Sequence, residues 1–334
     1  MQDLAKIRSE KPGSYPDQTV YAEYACREFD LAFEDIDGGT GLVFSVASKA
    51  RRVHFGAGRC SWYPQNNATA TTLASDKYFT NLILERAGVA TLGGDYFFLH
   101  DRHRARRAEG HEIEDALKYF AKLGATAFVK PLLGSRGDFA QAVYDEATLK
   151  NYFLSVSRYY DSILMQPLVS GDEYRLFLLD GEVLYAARKY PPVVLGDGMR
   201  SIRDLVSEHN AVLQARGLSP AAEAADEQVL GRVLSKGERW ELPGRMNLSA
   251  GGTMALEASP STAATAAARN AARALGLRVA AMDLFTNIKG RAEATAVIEV
   301  NSNPSIRLLE DCARADLILK IWHHTFSAMG LLGV

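Results

Sequence analysis

The sequence predicts an α/β chain of two or three domains, and three observations carry this. Alternating apolar residues flank Asp180-Gly181 in "EYRLFLLDGEVLYAARKY", the mark of a two-residue β-hairpin, because Asp-Gly accepts the positive φ angles such a turn needs. "MDLFTNIKGRAEATAVIEV" (282–300) reads as a second pair of apolar strands. Helix-period segments that stop at glycine alternate with strands along most of the chain. A length of 334 residues is also more than one core usually holds.

Taken in order, residues 1 to about 86 mix short strand-like runs such as "GLVFSV" with glycine-rich turns. They close in a helical pattern, "DKYFTNLILERAGV", ended by Gly88. "FFLHD" and a basic loop lead to the helix "EIEDALKYFAKLG", stopped by Gly124. Strand "TAFVK" (126–130), the loop "PLLGSRG", the alternating "FAQAVY" and a second helix-like stretch follow. "SILMQPLV" (162–169) is an apolar strand ended by "SGDE". After the Asp180-Gly181 hairpin, residues 191 to 245 turn more polar and read as an insertion with a helix around "IRDLVSEHNAVL". An Ala-rich helix over 262–275, ended by Gly276, feeds the last hairpin.

Composition excludes several classes. With 47% hydrophobic and 23% charged residues the chain is ordinary for a globular protein, and its net charge of -2 favours neither nucleic acid nor an anionic membrane. Cys26, Cys60 and Cys312 are far apart and suggest neither disulfides nor a zinc site, which fits a reducing, cytoplasmic setting. "MQDLAKIRSEKPGSYP" lacks a signal-peptide core, and no apolar run approaches a membrane span. There is no GxxxxGK[ST] loop, "GAGRCS" lacks the third glycine of a dinucleotide fingerprint, and no HExxH occurs. The basic "RHRARR" (102–107) reads as a solvated loop.

Four clusters carry chemistry. With the last hairpin centred on Arg291, Asp283 falls opposite Glu299, and Asn301 shares the face of Glu299. Opposed carboxylates roughly 5 Å apart repel, so a cation belongs between them. Two carboxylates and an amide suit Mg²⁺, although a polar sheet end facing water would carry the same letters. The repulsion also predicts that neutralising either acid leaves the ligand-free protein as stable or slightly more so. Lys130 ends a strand just before a loop whose Gly134 and Gly137 let backbone amides approach an anion. Counting outward from Asp180-Gly181 sets Glu173 opposite Arg188, with Arg175 on the same face, either as a structural salt bridge or as a ribose and triphosphate site. "PGRMNLSAGG" (243–252) gathers Arg245, Asn247 and a Gly-Gly turn, which suits an anion.

The ordered set "DKYFTNLILERAG", "VKPLLGSRG", "QPLVSGDEYR", "NLSAGG", "MD" and "EVNSNP" resembles the ATP-grasp ligase superfamily over residues 75 to about 310. More narrowly, "AARKYPPVVLGDGMRSIRDLVSEHN" followed by "NLSAGG" looks like the ligase domain of cyanophycin synthetases and bifunctional glutathione synthetases. The resemblance implies an N-terminal α/β domain (1–86), a small central lid (87–168) and a larger C-terminal α+β domain (169–334) that carries the insertion near 191–245. It implies ATP phosphates on Lys77 and Lys130, under a loop of Gly134, Ser135 and Gly137. Adenine would lie at the hinge Gln166, Pro167, Leu168 and Val169, with Glu173 on the ribose. Arg188 would neutralise phosphate, Arg245 and Asn247 would sit near an acyl phosphate, and Asp283, Glu299 and Asn301 would hold two Mg²⁺, for which Mn²⁺ can substitute. Arg307, just past "NSNPS", is a further candidate for a substrate carboxylate.

The implied reaction joins a carboxylate to an amine through an acyl phosphate, on amino acids or short peptides, with a homodimer left open. A ligase acting on a peptide or protein, or a non-catalytic ATP-binding regulator, would share these motifs. The sequence also departs from its models. D-alanine–D-alanine ligases place an arginine two residues before the metal aspartate, where this chain has Ala281. The Mur-ligase-like half of cyanophycin synthetase and the cysteine ligase of glutathione synthesis do not occur in these residues, so neither product follows.

Overall fold

Glycines and polar caps punctuate the fold where the sequence places them. The computed structural model describes residues 2–56, 61–134, 137–215, 227–242, 252–291 and 293–333; Ser135, Arg245 and Asn247 lie outside the described residues. Helices α1 (Gln2–Ser9) and α2 (Asp17–Glu28) precede a three-stranded antiparallel sheet of β1 (Ala32–Asp35), β2 (Val43–Ala47) and β3 (Arg52–Gly56). Next come α3 (Ala68–Ser75) and α4 (Lys77–Arg86), which meet at Asp76. The Asp76 carboxylate accepts from the Tyr78 and Phe79 amides, both at 3.0 Å, a cap typically worth about 1 kcal/mol.

A second sheet is built from β4 (Asp95–Phe98), β5 (Ala127–Pro131), β6 (Gln141–Val143) and β7 (Ser162–Gln166) in the order β4-β7-β5-β6. Helices α5 (Ile113–Lys122) and α6 (Glu146–Val156) close one face of it over Phe97, Phe120, Val129, Phe153 and Met165. The basic loop between β4 and α5 is neutralised locally. Arg102 pairs with Asp161 at 2.7 Å, Arg104 with Asp101 at 3.3 Å, and Arg107 with Glu112 at 3.3 Å.

The largest sheet begins with the hairpin of β8 (Asp172–Leu179) and β9 (Glu182–Tyr190). Asp180 and Gly181 have φ of 46° and 80°, as a type I′ turn requires. The insertion follows: β10 (Val193–Leu195), α7 (Ile202–Ala215), α8 (Glu227–Leu230) and β11 (Arg239–Glu241), with a small core of its own around Ile202, Val206, Leu213 and Leu234. Then come β12 (Thr253–Glu257), α9 (Thr262–Leu275), β13 (Val279–Thr286), β14 (Ala296–Asn301), α10 (Arg307–Asp311) and α11 (Ala315–Ala328). The five long strands run β12-β9-β8-β13-β14, all antiparallel.

Strand alternation then divides this sheet into two faces. One carries Leu176, Met282 and Leu284 onto α9, whose Ala264, Ala268, Ala271 and Leu275 form a single stripe, with α3 and α4 beside it. The other carries Phe177, Val279 and Ala281 into a core shared with α2, β2, β3 and α11 through Tyr21, Phe44 and Trp322. The first 86 residues therefore divide between two cores rather than enclosing one. Among the described residues, no helix is long and apolar enough to cross a membrane.

Candidate nucleotide and metal site

Asp283 lies directly opposite Glu299 in the β13–β14 ladder, and Ala281 lies opposite Asn301, the registers that counting from Arg291 predicts. The pairing slips by one residue between Asp283 and Leu284, so Ile298 is the extra residue of a bulge. Asp283 is buried, and protein cations already fill the place a metal would take. Arg175 grips it with two bonds, Nε to Oδ1 at 2.7 Å and Nη2 to Oδ2 at 2.8 Å. Lys189 Nζ donates to Oδ2 at 2.8 Å and is also bonded to Glu173. Burial by itself would push the Asp283 carboxyl up, but the Arg175 and Lys189 charges hold it well below the usual carboxylate range.

The β8–β9 register corrects one expectation. Arg188 lies opposite Tyr174, not Glu173, because the pairing shifts between Phe177 and Leu178 and leaves Leu184 as an extra residue. One residue of slip moves a side chain to the other face. Arg188 therefore bonds Asp172 at 2.8 Å and stacks over Tyr174 and Tyr190, turned away from Asp283. Lys189 occupies the face that the count assigned to Arg188. Nothing in the letters of a clean two-residue hairpin signals such a bulge, so Lys189 escapes a sequence reading.

Across from this face stands the β4–β7 sheet. Lys130 and Lys77 are both buried. Burial pushes the Lys130 ammonium down to about 8, and Glu299 offsets part of that effect. Lys77 is likewise lowered by burial, and it donates to the carbonyls of Leu132, at 3.3 Å, and Gly134. It thereby fastens the glycine loop, whose Gly137 has φ of +70°. Lys77 and Lys130 thus stand across a gap from Glu299, while Arg175 and Lys189 lie on the same sheet face as Glu173, Asp283 and Glu299, which gathers four cations around three acids. Among the described residues, none lies close enough to Lys130 to pair with its ammonium.

The hinge carries an unmet hydrogen bond. Gln166 is fully buried; its Nε2 donates to the Gly93 carbonyl at 2.7 Å, while its Oε1 has no partner. A side chain at Gly94 would stand 2.5 Å from the Met165 carbonyl, so only glycine lets this segment pass so close. Pro167 and Val169 are half-buried and Leu168 is exposed.

The metal candidates fit Mg²⁺ in donor chemistry. Asn301 lies on the same face as the two opposed carboxylates, where its Oδ1 adds a third oxygen, while its Nδ2 is a buried donor without a partner that suits a phosphate oxygen rather than a cation. Among the described residues no three His, Cys, Asp or Glu side chains cluster as a cage, and Mg²⁺ is ordinarily held by one or two carboxylates and phosphates. Arg307 stands apart. It bonds Asp311 at 3.0 Å and Asp17 at 3.1 Å and lies 3.7 Å from Glu310, so it joins α10 to α2. Holding a substrate carboxylate would mean giving up one of these.

No family model matches the chain. It is 28% identical over 230 residues to the glutathione biosynthesis bifunctional protein GshAB of Streptococcus mutans, covering 61% of this chain and 30% of that protein. It is 27% identical over 266 residues to the cyanophycin synthetase of Trichormus variabilis, covering 71% and 27%. The chain thus spans less than a third of the length of these relatives. Among solved structures, the bifunctional glutathione synthetase of Pasteurella multocida superposes with a TM-score of 0.58 at 16% identity, over 93% of this chain and 44% of that one. In sequence the chain is thus related to the GshAB proteins and the cyanophycin synthetases, and it shares the fold of the bifunctional glutathione synthetase, findings that support the ATP-grasp ligase reading of its motifs.

Proposed function

We propose that the chain joins a carboxylate to an amine at the expense of ATP, through an acyl phosphate, with a free amino acid or short peptide among its substrates. The observation that carries this reading is the gap between the two sheets, where buried lysines face opposed carboxylates. A phosphate chain suits such a gap, because it needs cations from the protein and from metal at once. Residues 87–168 act as the lid, and the triphosphate lies between Lys130 and the Asp283 face.

Lys77 and Lys130 neutralise the phosphates, and the Gly134–Gly137 loop lies over them. The free Oε1 of Gln166 accepts from the adenine amino group. Asp283, Glu299 and Asn301 hold Mg²⁺, which supplies positive charge at the terminal phosphates. A substrate carboxylate oxygen attacks the γ-phosphorus, and ADP leaves with the electrons of the broken P–O bond. The amine then attacks the acyl carbon, loses a proton, and expels inorganic phosphate. No side-chain nucleophile is needed; positioning and charge lower the barrier. A closed lid keeps water from the acyl phosphate.

The test is product identity. Incubation with ATP and pooled amino acids should release ADP and phosphate, and hydroxylamine should trap the activated acid as a hydroxamate when the amine is withheld. AMP with pyrophosphate as the stoichiometric products would sink the mechanism.

A further inference from the structure

We propose that Lys189 is a positioning residue that makes divalent-cation loading of Asp283 depend on nucleotide; this rests on the ligase reading above. Both Asp283 oxygens are in use. Oδ1 accepts from Arg175 Nε at 2.7 Å, and Oδ2 accepts from Arg175 Nη2 and Lys189 Nζ, each at 2.8 Å. A metal ion needs a position on this carboxylate, so a donor has to leave it.

Chemistry selects Lys189 as the one that leaves. Arg175 is held by a planar two-point fork, and releasing it breaks two charged bonds together. Lys189 gives Asp283 one bond and keeps Glu173 as a second partner. Its ammonium sits on a flexible stem and swings without backbone movement. Its side chain is only 1% exposed, so bulk water does not take over when it lets go. An ammonium that leaves Asp283 keeps only Glu173 of its two carboxylates, and in a buried site the lost charge partner has to be replaced by another anion. The terminal phosphates are that anion. Nucleotide therefore draws Lys189 away and opens Oδ2 to the cation. Without nucleotide, an arriving cation would meet a filled carboxylate and add charge to four cations already present.

Counting free Mn²⁺ by electron paramagnetic resonance tests this on the full chain. Nucleotide-free wild type should bind Mn²⁺ weakly. Lys189→Met keeps the stem and removes the charge, and should bind it roughly tenfold more tightly or better without nucleotide. Lys189→Arg keeps the charge, so its nucleotide-free form should likewise bind Mn²⁺ weakly. In EDTA, calorimetry should show Lys189→Met losing roughly tenfold in ADP affinity. A merely structural lysine would not make metal and nucleotide affinity move in opposite directions. Tight Mn²⁺ binding by nucleotide-free wild type overturns the proposal even where Lys189→Met does not fold. Equal Mn²⁺ affinity of wild type and a folded Lys189→Met overturns it too. Should wild type bind no adenine nucleotide with or without metal, the ligase reading fails and takes this one with it.

Discussion

Arg175 holds both carboxylate oxygens of Asp283 across the β8–β13 pair, at 2.7 and 2.8 Å, so the aspartate opposite Glu299 is not the unbalanced charge that its strand position suggests. The consequences separate the two acids.

Asp283→Asn should unfold more easily in the ligand-free state, by about 3–5 kcal/mol, because Arg175 and Lys189 lose the charge they share. This reverses the expectation, drawn from repulsion alone, that either neutralisation is harmless. Glu299→Gln removes no ion pair formed by the described residues, only the charge that offsets the burial of Lys130 and Lys77, and should cost less stability than Asp283→Asn. Urea denaturation of both variants, beside an activity assay in which both fail, checks the pair. The Asp283 carboxyl is held below its unfolded value near 4, so its contribution is present above about pH 4 and fades in acid.

Lys130 predicts a pH dependence of opposite origin. Burial lowers its ammonium to about 8, below the unfolded value near 10.4. The unfolded chain therefore binds the extra proton between these values, and stability of the ligand-free protein rises with pH across that window. Phosphate prefers the charged form, so nucleotide binding near pH 8 should take up protons and weaken above it. Calorimetry in buffers of differing ionisation heat measures the uptake, and Lys130→Ala should abolish it.

Gln166 predicts base selectivity. Its partnerless Oε1 welcomes the amino group of adenine and opposes the carbonyl of guanine, and a site built to hydrogen-bond one group rejects its replacement strongly. ATP should bind at least tenfold more tightly than GTP, by roughly the cost of one unmet buried bond. Gln166→Leu should shrink that ratio. Competition against a fluorescent ATP analogue reads it, and an unchanged ratio would move the adenine elsewhere.

Mg-ATP should raise the melting temperature of the wild type by mass action on the folded state. Lys130→Ala should blunt this rise, because one of the two buried lysines proposed to meet the phosphates is gone. A full shift in the variant would place the phosphates away from Lys130.

By itself, the sequence determined the features that short-range chemistry controls. Positive φ at Asp180 and Gly181 placed one hairpin, symmetry about Arg291 placed Asp283 opposite Glu299, and the Ala-rich stretch with Gly276 placed α9. The order of its motifs also pointed to the ATP-grasp fold. Only the tertiary structure decided which cation meets which carboxylate. Leu184 bulges out of β9, and that single residue turns Arg188 to one face and Lys189 to the other. A bulge arises from how a whole sheet twists and packs between its two cores, which no pair of neighbouring letters records. Arg307 shows the same limit. Its place after "NSNPS" is legible, but the carboxylates that occupy it come from α2 and α10, some 290 residues apart, and are brought together only by folding.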